Sequence, residues 1–297
     1  MSEVTVLGLG VMGTALARAM LERGDRVTVW NRTAAKARAL ESAGARLATA
    51  PADAVRESVV VIVCVADYAA TYAALDGIDL RGKTIVQLST GSPADARAGE
   101  SWAKERGADY LDGAILATPR QIGTPASSIL VSGSASAFAA SRELVAHMTG
   151  TLTYLGERVG AAAAFDLAFL SWLFPALLGY YDGLRLIEAE GLDLAGYAAM
   201  TEASGPAAIQ ILVQEAHTVI SGQYGEPEAT LATCHAALQL MQRHAREAGL
   251  DGALAAFVTE RFQAGLSAGF GNESPAALVK VLRATSLRSR AAAHSSR

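Results

Sequence analysis

Three groups of residues in this chain have the types and spacing to do chemistry. The first is Gly8-Leu9-Gly10-Val11-Met12-Gly13, a GxGxxG run. Its first glycine permits a tight turn, its second lets backbone approach a ligand, and its third lets a helix pack closely on a strand. The helix that follows presents unpaired N–H groups to an anion, so the run points to the pyrophosphate of a dinucleotide. The second group is Asn31-Arg32-Thr33, with Lys36 one helical step later. An NAD site commonly places a carboxylate here for the ribose hydroxyls, and none is present to repel a 2′-phosphate. Arg32 can pair with that phosphate and stack on adenine, Asn31 and Thr33 can donate hydrogen bonds, and Lys36 adds charge. NADPH or NADP+ is therefore the expected cofactor; the competing reading makes Arg32 and Lys36 solvated surface cations. The third group is a single carboxylate, Asp166, set between Ala164, Phe165, Leu167, Ala168, Phe169 and Leu170. Burial among such neighbours raises a carboxyl pKa toward the range of a general acid. The alternative is an aspartate that only anchors its helix through a hydrogen bond.

These groups need a scaffold, and the pattern of apolar residues supplies one. The first half alternates β-branched runs with helix-compatible segments, as βαβ units and a mostly parallel sheet require. Strands are predicted at Val4 to Gly10, Arg26 to Asn31, Ser58 to Ala66, Thr84 to Thr90, Tyr110 to Leu116, Ser128 to Ser132 and Leu152 to Leu155. Helices are predicted over Val11 to Arg23, Ala34 to Ala43 and Ala135 to Met148, and Pro93 sits where a first helical turn tolerates it. After Gly160 strand signals nearly vanish, and helices are expected at Ala161 to Glu190, Leu194 to Ile220, Pro227 to Ala248, Ala253 to Ala264 and Ala276 to Leu282. The expected fold class is an α/β Rossmann domain over residues 1–160, joined by a long interdomain helix to an all-α domain over 161–290. A disordered tail is expected at 291–297.

Composition narrows the possible partners. With 297 residues the chain is long enough for two domains. Hydrophobic residues make up 51% and charged ones 18%, which excludes an intrinsically disordered protein. A net charge of −4 gives no general attraction to nucleic acid or anionic lipid. The apolar stretch Ala161 to Tyr181 has the length of a membrane span, but Asp166 and Pro175 inside it favour a helix buried between domains or subunits. Such a helix in an apolar helical domain leads to the expectation of a homodimer. Cys64 and Cys234 lie too far apart for a disulfide framework or metal knuckle, so a cytoplasmic location is expected. His147, His217, His235, His244 and His294 show no ligand spacing, and His235 and His244 are expected at a helix surface or interface; no metal is expected.

Taken together, GLGVMG, WNRT (Trp30 to Thr33), CVADY (Cys64 to Tyr68), QLSTGSP (Gln87 to Pro93), YLDGAILATPRQIGTP (Tyr110 to Pro125), VSGS (Val131 to Ser134) and FDLAFL (Phe165 to Leu170) resemble the NADPH-dependent imine reductases. The resemblance covers nearly the whole length. It implies an intertwined homodimer whose helical domains interlock, with each active site drawn from two subunits. It also implies hydride transfer to the C=N bond of a small, cyclic and largely apolar imine, with Asp166 as proton donor or iminium stabiliser. The related hydroxyacid dehydrogenases place a lysine where this chain has Asp166, followed by an asparagine where Phe169 and Leu170 stand. Val65, Ala66 and Thr90 join the cofactor-contacting positions. Ile115, Leu116, Ala117, Thr118, Leu170, Leu173 and Phe174 are expected to line the substrate pocket. Phe174 replaces a tyrosine found in many relatives, and Thr90 replaces the asparagine common in members that perform reductive amination, which lowers that expectation here. Relatives with aspartate at the Asp166 position more often give the R amine. The alternatives are a hydroxyacid or aldehyde dehydrogenase of the same superfamily and a non-catalytic NADPH-binding protein.

Overall fold

Valine-rich runs form the centre of the first unit because a strand covered on both faces needs apolar side chains on both. In the computed structural model, which describes residues 3–285, β1 (Val4–Leu7), β4 (Val60–Val63) and β5 (Thr84–Gln87) are buried at every position. Five further strands, β2 (Val27–Trp30), β3 (Arg46–Leu47), β6 (Asp109–Leu116), β7 (Ser128–Gly133) and β8 (Thr151–Tyr154), complete one sheet in the order β3-β2-β1-β4-β5-β6-β7-β8. All neighbours pair in parallel except β6 and β7, which are antiparallel. This is the doubly wound arrangement, whose strand order reverses between β1 and β4 and opens a crevice at their carboxyl ends.

Helices α1 (Val11–Glu22), α2 (Ala34–Arg38), α3 (Pro51–Glu57), α4 (Tyr68–Leu75), α5 (Pro93–Glu105) and α6 (Ala135–Ala146) connect the strands. Local chemistry fixes several starts. Asp67 accepts from the Ala70 amide at 2.7 Å to cap α4, Ser92 and Asp95 form a reciprocal capping box on α5, and the Ser134 side chain caps α6. Pro51 and Pro93 occupy first turns, where a missing N–H costs nothing.

Several expectations change. The strands read from the sequence end earlier, because Gly8 to Gly10 and Cys64 to Ala66 are loop at the rim of the crevice. The helix expected over Ala34 to Ala43 stops at Arg38, and a 3-10 turn at Glu41–Ala43 ends on Gly44 with φ +93°. The short β3 and the helices α3 and α4 had no expectation; α4 (YAATYAAL) carries almost no polar residue and so no face to reveal it.

The boundary between the two compact units falls between Leu173 and Phe174, inside α7 (Ala161–Ala189). The helices of the second unit are α8 (Leu194–Ser221), α9 (Leu231–Glu247) and α10 (Ala253–Ser267), and among its described residues there is no strand. The α9 start lies at Leu231, later than the expected Pro227, because Thr230 caps it. The segment expected as a helix from Ala276 opens as a 3-10 turn at Pro275–Ala277. Within this unit Lys280 lies over the rings of Tyr224 and Phe270, at 4.1 and 4.6 Å, and Tyr180 stacks on Tyr197 at 5.4 Å. His235, expected at a helix surface or interface, is buried. The tail 291–297 and His294 lie outside the described residues.

Candidate active site

At the crevice, the three glycines of the GxGxxG run meet different surroundings. Gly8 has φ +97°, and a Cβ there would fall 2.3 Å from the Cys64 carbonyl oxygen. A Cβ on Gly13 would fall 2.0 Å from the Gly8 carbonyl oxygen. Both must be glycine for the strand and helix to meet. Gly10 differs, because nothing lies within 4 Å of its Cβ position; the freedom it gives is toward open space, where a ligand would approach. No side chain caps α1 and no acid sits in its first turn, so its amino end is left as an anion site.

This end opens on a cleft of about 570 Å³. Gly8, Gly10, Val11, Met12 and Gly13 form its floor, Asn31, Arg32, Thr33 and Lys36 one side, and Val65 and Ala66 another. Residues not singled out from sequence complete it: Trp30 at the end of β2, Cys64, and the small side chains Ala70, Ala73 and Ala74 of α4. Burial pushes the Cys64 thiol up to about 11, so it is a neutral wall. Neither Arg32 nor Lys36 forms an ion pair with the described residues. An uncapped helix start, an open approach at Gly10 and two uncommitted cations fit a phosphorylated dinucleotide.

Of the residues expected at the cofactor, Leu9 and Thr90 do not line this cleft, and Asn31, which does, also has partners within the chain. Leu9 packs in the core, and its amide donates to the Asn31 Oδ1 at 2.8 Å, so that N–H is taken. Asn31 also donates to the Thr33 carbonyl at 3.1 Å, and is first a brace joining the glycine loop to the end of β2. Thr90 is exposed and stands outside the residues that line the cleft.

Asp166 lies on the second turn of α7 and is 7% exposed. Desolvation raises its carboxyl above the ordinary range. The turn before it is fastened to the sheet: the Ala162 amide donates to Ser132 Oγ at 3.0 Å and the Ala163 amide to Asp112 Oδ2 at 3.2 Å. Asp112, on β6 and only 1% exposed, also accepts from the Tyr68 hydroxyl at 2.5 Å. Sequence reading missed both Asp112 and Tyr68, although a carboxylate inside the apolar strand YLDGAIL was the available signal. Desolvation foremost, and the proximity of Asp166, push Asp112 up to about 6 against the pull of its two hydrogen bonds.

The expected substrate-lining residues are not all together. Strand alternation places Leu116 on the Asp112 face of β6, where it packs with Ala114, Leu130 and Ala162. Ile115 and Ala117, partly buried, pack instead against the core cluster that holds α1. Thr118 is exposed and engaged by Gln121, to which its amide donates at 2.8 Å. Leu170 and Leu173 are partly buried on α7, and Phe174 is 61% exposed. Among the described residues no three histidine, cysteine, aspartate or glutamate side chains gather as a metal site.

Residues 3–156 match the model of the NAD binding domain of 6-phosphogluconate dehydrogenase, and residues 159–284 that of the C-terminal domain of NADPH-dependent reductive aminase-like proteins. The chain is 37% identical over 189 residues to an NADPH-dependent reductive aminase of Aspergillus oryzae, an alignment that covers 63% of this chain and 64% of that protein. That match is thus just short of two thirds of the curated relative's length. A reductive aminase from Aspergillus terreus, solved with NADPH and ethyl levulinate, superposes with a TM-score of 0.90 at 32% identity, covering 95% of this chain and 99% of that one. An imine reductase from Myxococcus stipitatus, solved with NADP+, gives 0.88 at 35% identity, covering 94% and 99%. A 6-phosphogluconate dehydrogenase-type nucleotide domain followed by a reductive aminase-like helical domain, on a fold shared along nearly its full length, makes this chain a member of the NADPH-dependent imine reductase and reductive aminase family of oxidoreductases.

Proposed function

We propose that this protein reduces the C=N bond of a small, largely apolar, preferably cyclic imine to an amine, using NADPH, with Asp166 as proton donor or iminium stabiliser. The observation that carries the reading is Asp166 itself: a buried carboxyl group, raised by desolvation, on the first turns of the long helix. An imine accepts hydride readily only as the iminium ion. A carboxylic acid beside the nitrogen can supply that proton, and its carboxylate can then stabilise the cation. NADPH, when bound, supplies the hydride that reaches carbon. The chain's own residues do the rest: α1's amino end and Gly10 receive the pyrophosphate, while Arg32, Thr33 and Lys36 hold the 2′-phosphate. Leu116, Leu170 and Leu173 supply apolar surface that suits a hydrophobic imine over a charged acid. Phe174 offers no hydroxyl, so Asp166 has no second donor at that point of α7.

The functional unit in this reading is a homodimer. Helix α7 is long and apolar enough to cross a membrane by length and composition, yet it carries Asp166 and begins fastened to β6 and β7. Phe165 and Phe174 on α7, at 57% and 61% exposure, and Ile211 and Ile220 on α8, at 63% and 80%, are apolar surface that a second copy would cover.

The test is NADPH oxidation with a five- and a six-membered cyclic imine, a ketone with and without amine, a small β-keto acid and an aldehyde. Turnover of the cyclic imines is expected, with Asp166→Ala lowering kcat by about two to four orders of magnitude and leaving NADPH binding intact. Turnover of the keto acid or aldehyde alone would assign the chain to carbonyl reduction instead. No oxidation with any substrate despite NADPH binding would make it a non-catalytic binder.

A further inference from the structure

We propose that Asp112 is a positioning residue for Asp166: it pins the start of α7 to the sheet and, as a second buried carboxyl group beside the acid, makes the pair hold its last proton until the substrate takes it. The inference rests on the proposed role of Asp166 as the acid.

The geometry is specific. Asp112 uses one carboxylate oxygen for the Ala163 amide, 3.2 Å away, and the other for the Tyr68 hydroxyl, 2.5 Å away. Ala163 and Asp166 are three residues apart, so they share a face of α7. The group that holds the first turn therefore lies under the face that carries the acid. Tyr68 cannot retreat, because its ring packs so closely on Gly91 that a Cβ there would fall 2.3 Å from the ring. Ser132, paired with Asp112 across β6 and β7, holds the adjacent Ala162 amide at 3.0 Å. Two side chains of neighbouring strands thus set the height and rotation of the helix that carries Asp166.

The electrostatics act in the same direction. The titratable groups around Asp112 are Tyr68 on α4, Tyr110 on its own strand and Asp166 on α7; Tyr72 and Glu100 act on Tyr110 in turn. No cation is among them. Tyr68 and the Ala163 amide favour ionised Asp112, and a charge on Asp166 opposes it. The two carboxyl groups titrate as a coupled pair, in which the charge left by the first proton lost opposes the loss of the second. The consequence is a pair that gives up its last proton at a higher pH than a lone carboxyl group in the same place would. When that proton passes to the imine nitrogen, the new carboxylate at Asp166 and the iminium form a charge pair, and hydride addition at carbon neutralises the iminium.

The experiment is the pH dependence of kcat at saturating NADPH and cyclic imine for the wild type, Asp112→Asn, Tyr68→Phe and Asp166→Asn. Asparagine can still accept from the Ala163 amide but carries no charge. In Asp112→Asn the basic limb is expected to move down by about one pH unit, with kcat on the acid side close to wild type and the NADPH KM unchanged. Tyr68→Phe, which keeps the ring, should move the limb the same way by less, and it serves if Asp112→Asn does not fold. A limb unmoved in Asp112→Asn, or in Tyr68→Phe should the first be insoluble, but lost in Asp166→Asn overturns this proposal and leaves the role of Asp166 standing. A limb that persists in Asp166→Asn overturns that role and this proposal together.

Discussion

At the scale of single residues, charge placed at a loop end and charge placed inside the fold have opposite consequences. Arg32 is free to meet a phosphate, and its charge-assisted hydrogen bonds are worth about 1.5 to 3 kcal/mol. Arg32→Ala should therefore raise the NADPH KM by roughly ten- to a hundredfold and the NADH KM far less, measured by initial rates with both cofactors. Equal wild-type use of NADH and NADPH would contradict this. Asp112 shows the other case. Its carboxyl lies at about 6 in the fold against an ordinary 3.8, so the folded state holds the proton more tightly than the unfolded one. The stability it contributes is fully present below pH 3.8 and is lost as pH rises to about 6. Replacing it with asparagine should remove that dependence. The thermal midpoint of the wild type should fall relative to Asp112→Asn between pH 4 and 6, by the equivalent of at most about 3 kcal/mol. Parallel midpoints for the two proteins across this window would show that Asp112 is not perturbed by its surroundings.

At the scale of elements, the junction of β1 and α1 separates two roles that one motif combines. Gly13→Ala puts a methyl group 2.0 Å from the Gly8 carbonyl, so the helix must move away from the strand. It should cost about 1 to 3 kcal/mol of stability, read as a lower unfolding midpoint even without cofactor. Gly10→Ala meets nothing within 4 Å, and the fold should not respond to it. Its methyl group instead occupies the approach to the amino end of α1, so NADPH affinity measured by nicotinamide fluorescence should fall tenfold or more while the cofactor-free midpoint stays near wild type. A Gly10→Ala protein with normal NADPH affinity would remove this loop from the phosphate site. Helix α7 is held at its start, where Asp112 and Ser132 take its first amides, and Pro175 removes a donor in its interior.

At the scale of the whole molecule, exposed apolar side chains on α7 and α8 predict association. Light scattering at micromolar concentration should give twice the chain mass, and Ile220→Glu, which places a charge on a side chain 80% exposed, should shift the population toward monomer while leaving the NADPH site folded. A stable, fully active monomer would contradict the dimer. How far the sequence alone leads can be judged from particular residues. The GxGxxG run, the valine-rich strands and the absence of an acid beside Arg32 each act through neighbours close along the chain, so spacing sufficed to show a nucleotide-binding α/β half followed by helices. Asp166 was conspicuous for a similar reason, as one charge in an apolar run. Pairings between distant segments were not legible. Nothing near Asn31 announces that it will hold the Leu9 amide, 22 residues away, and the pleat sends Ile115 and Leu116, neighbours in sequence, to opposite faces of the sheet. The clearest case is Asp112, whose partners Tyr68 and Ala163 lie 44 and 51 residues from it. Local periodicity specifies which faces are apolar; it carries no record of which buried polar atoms will satisfy one another, and that matching arises only when the sheet order and the seating of α7 bring those atoms within hydrogen-bonding distance.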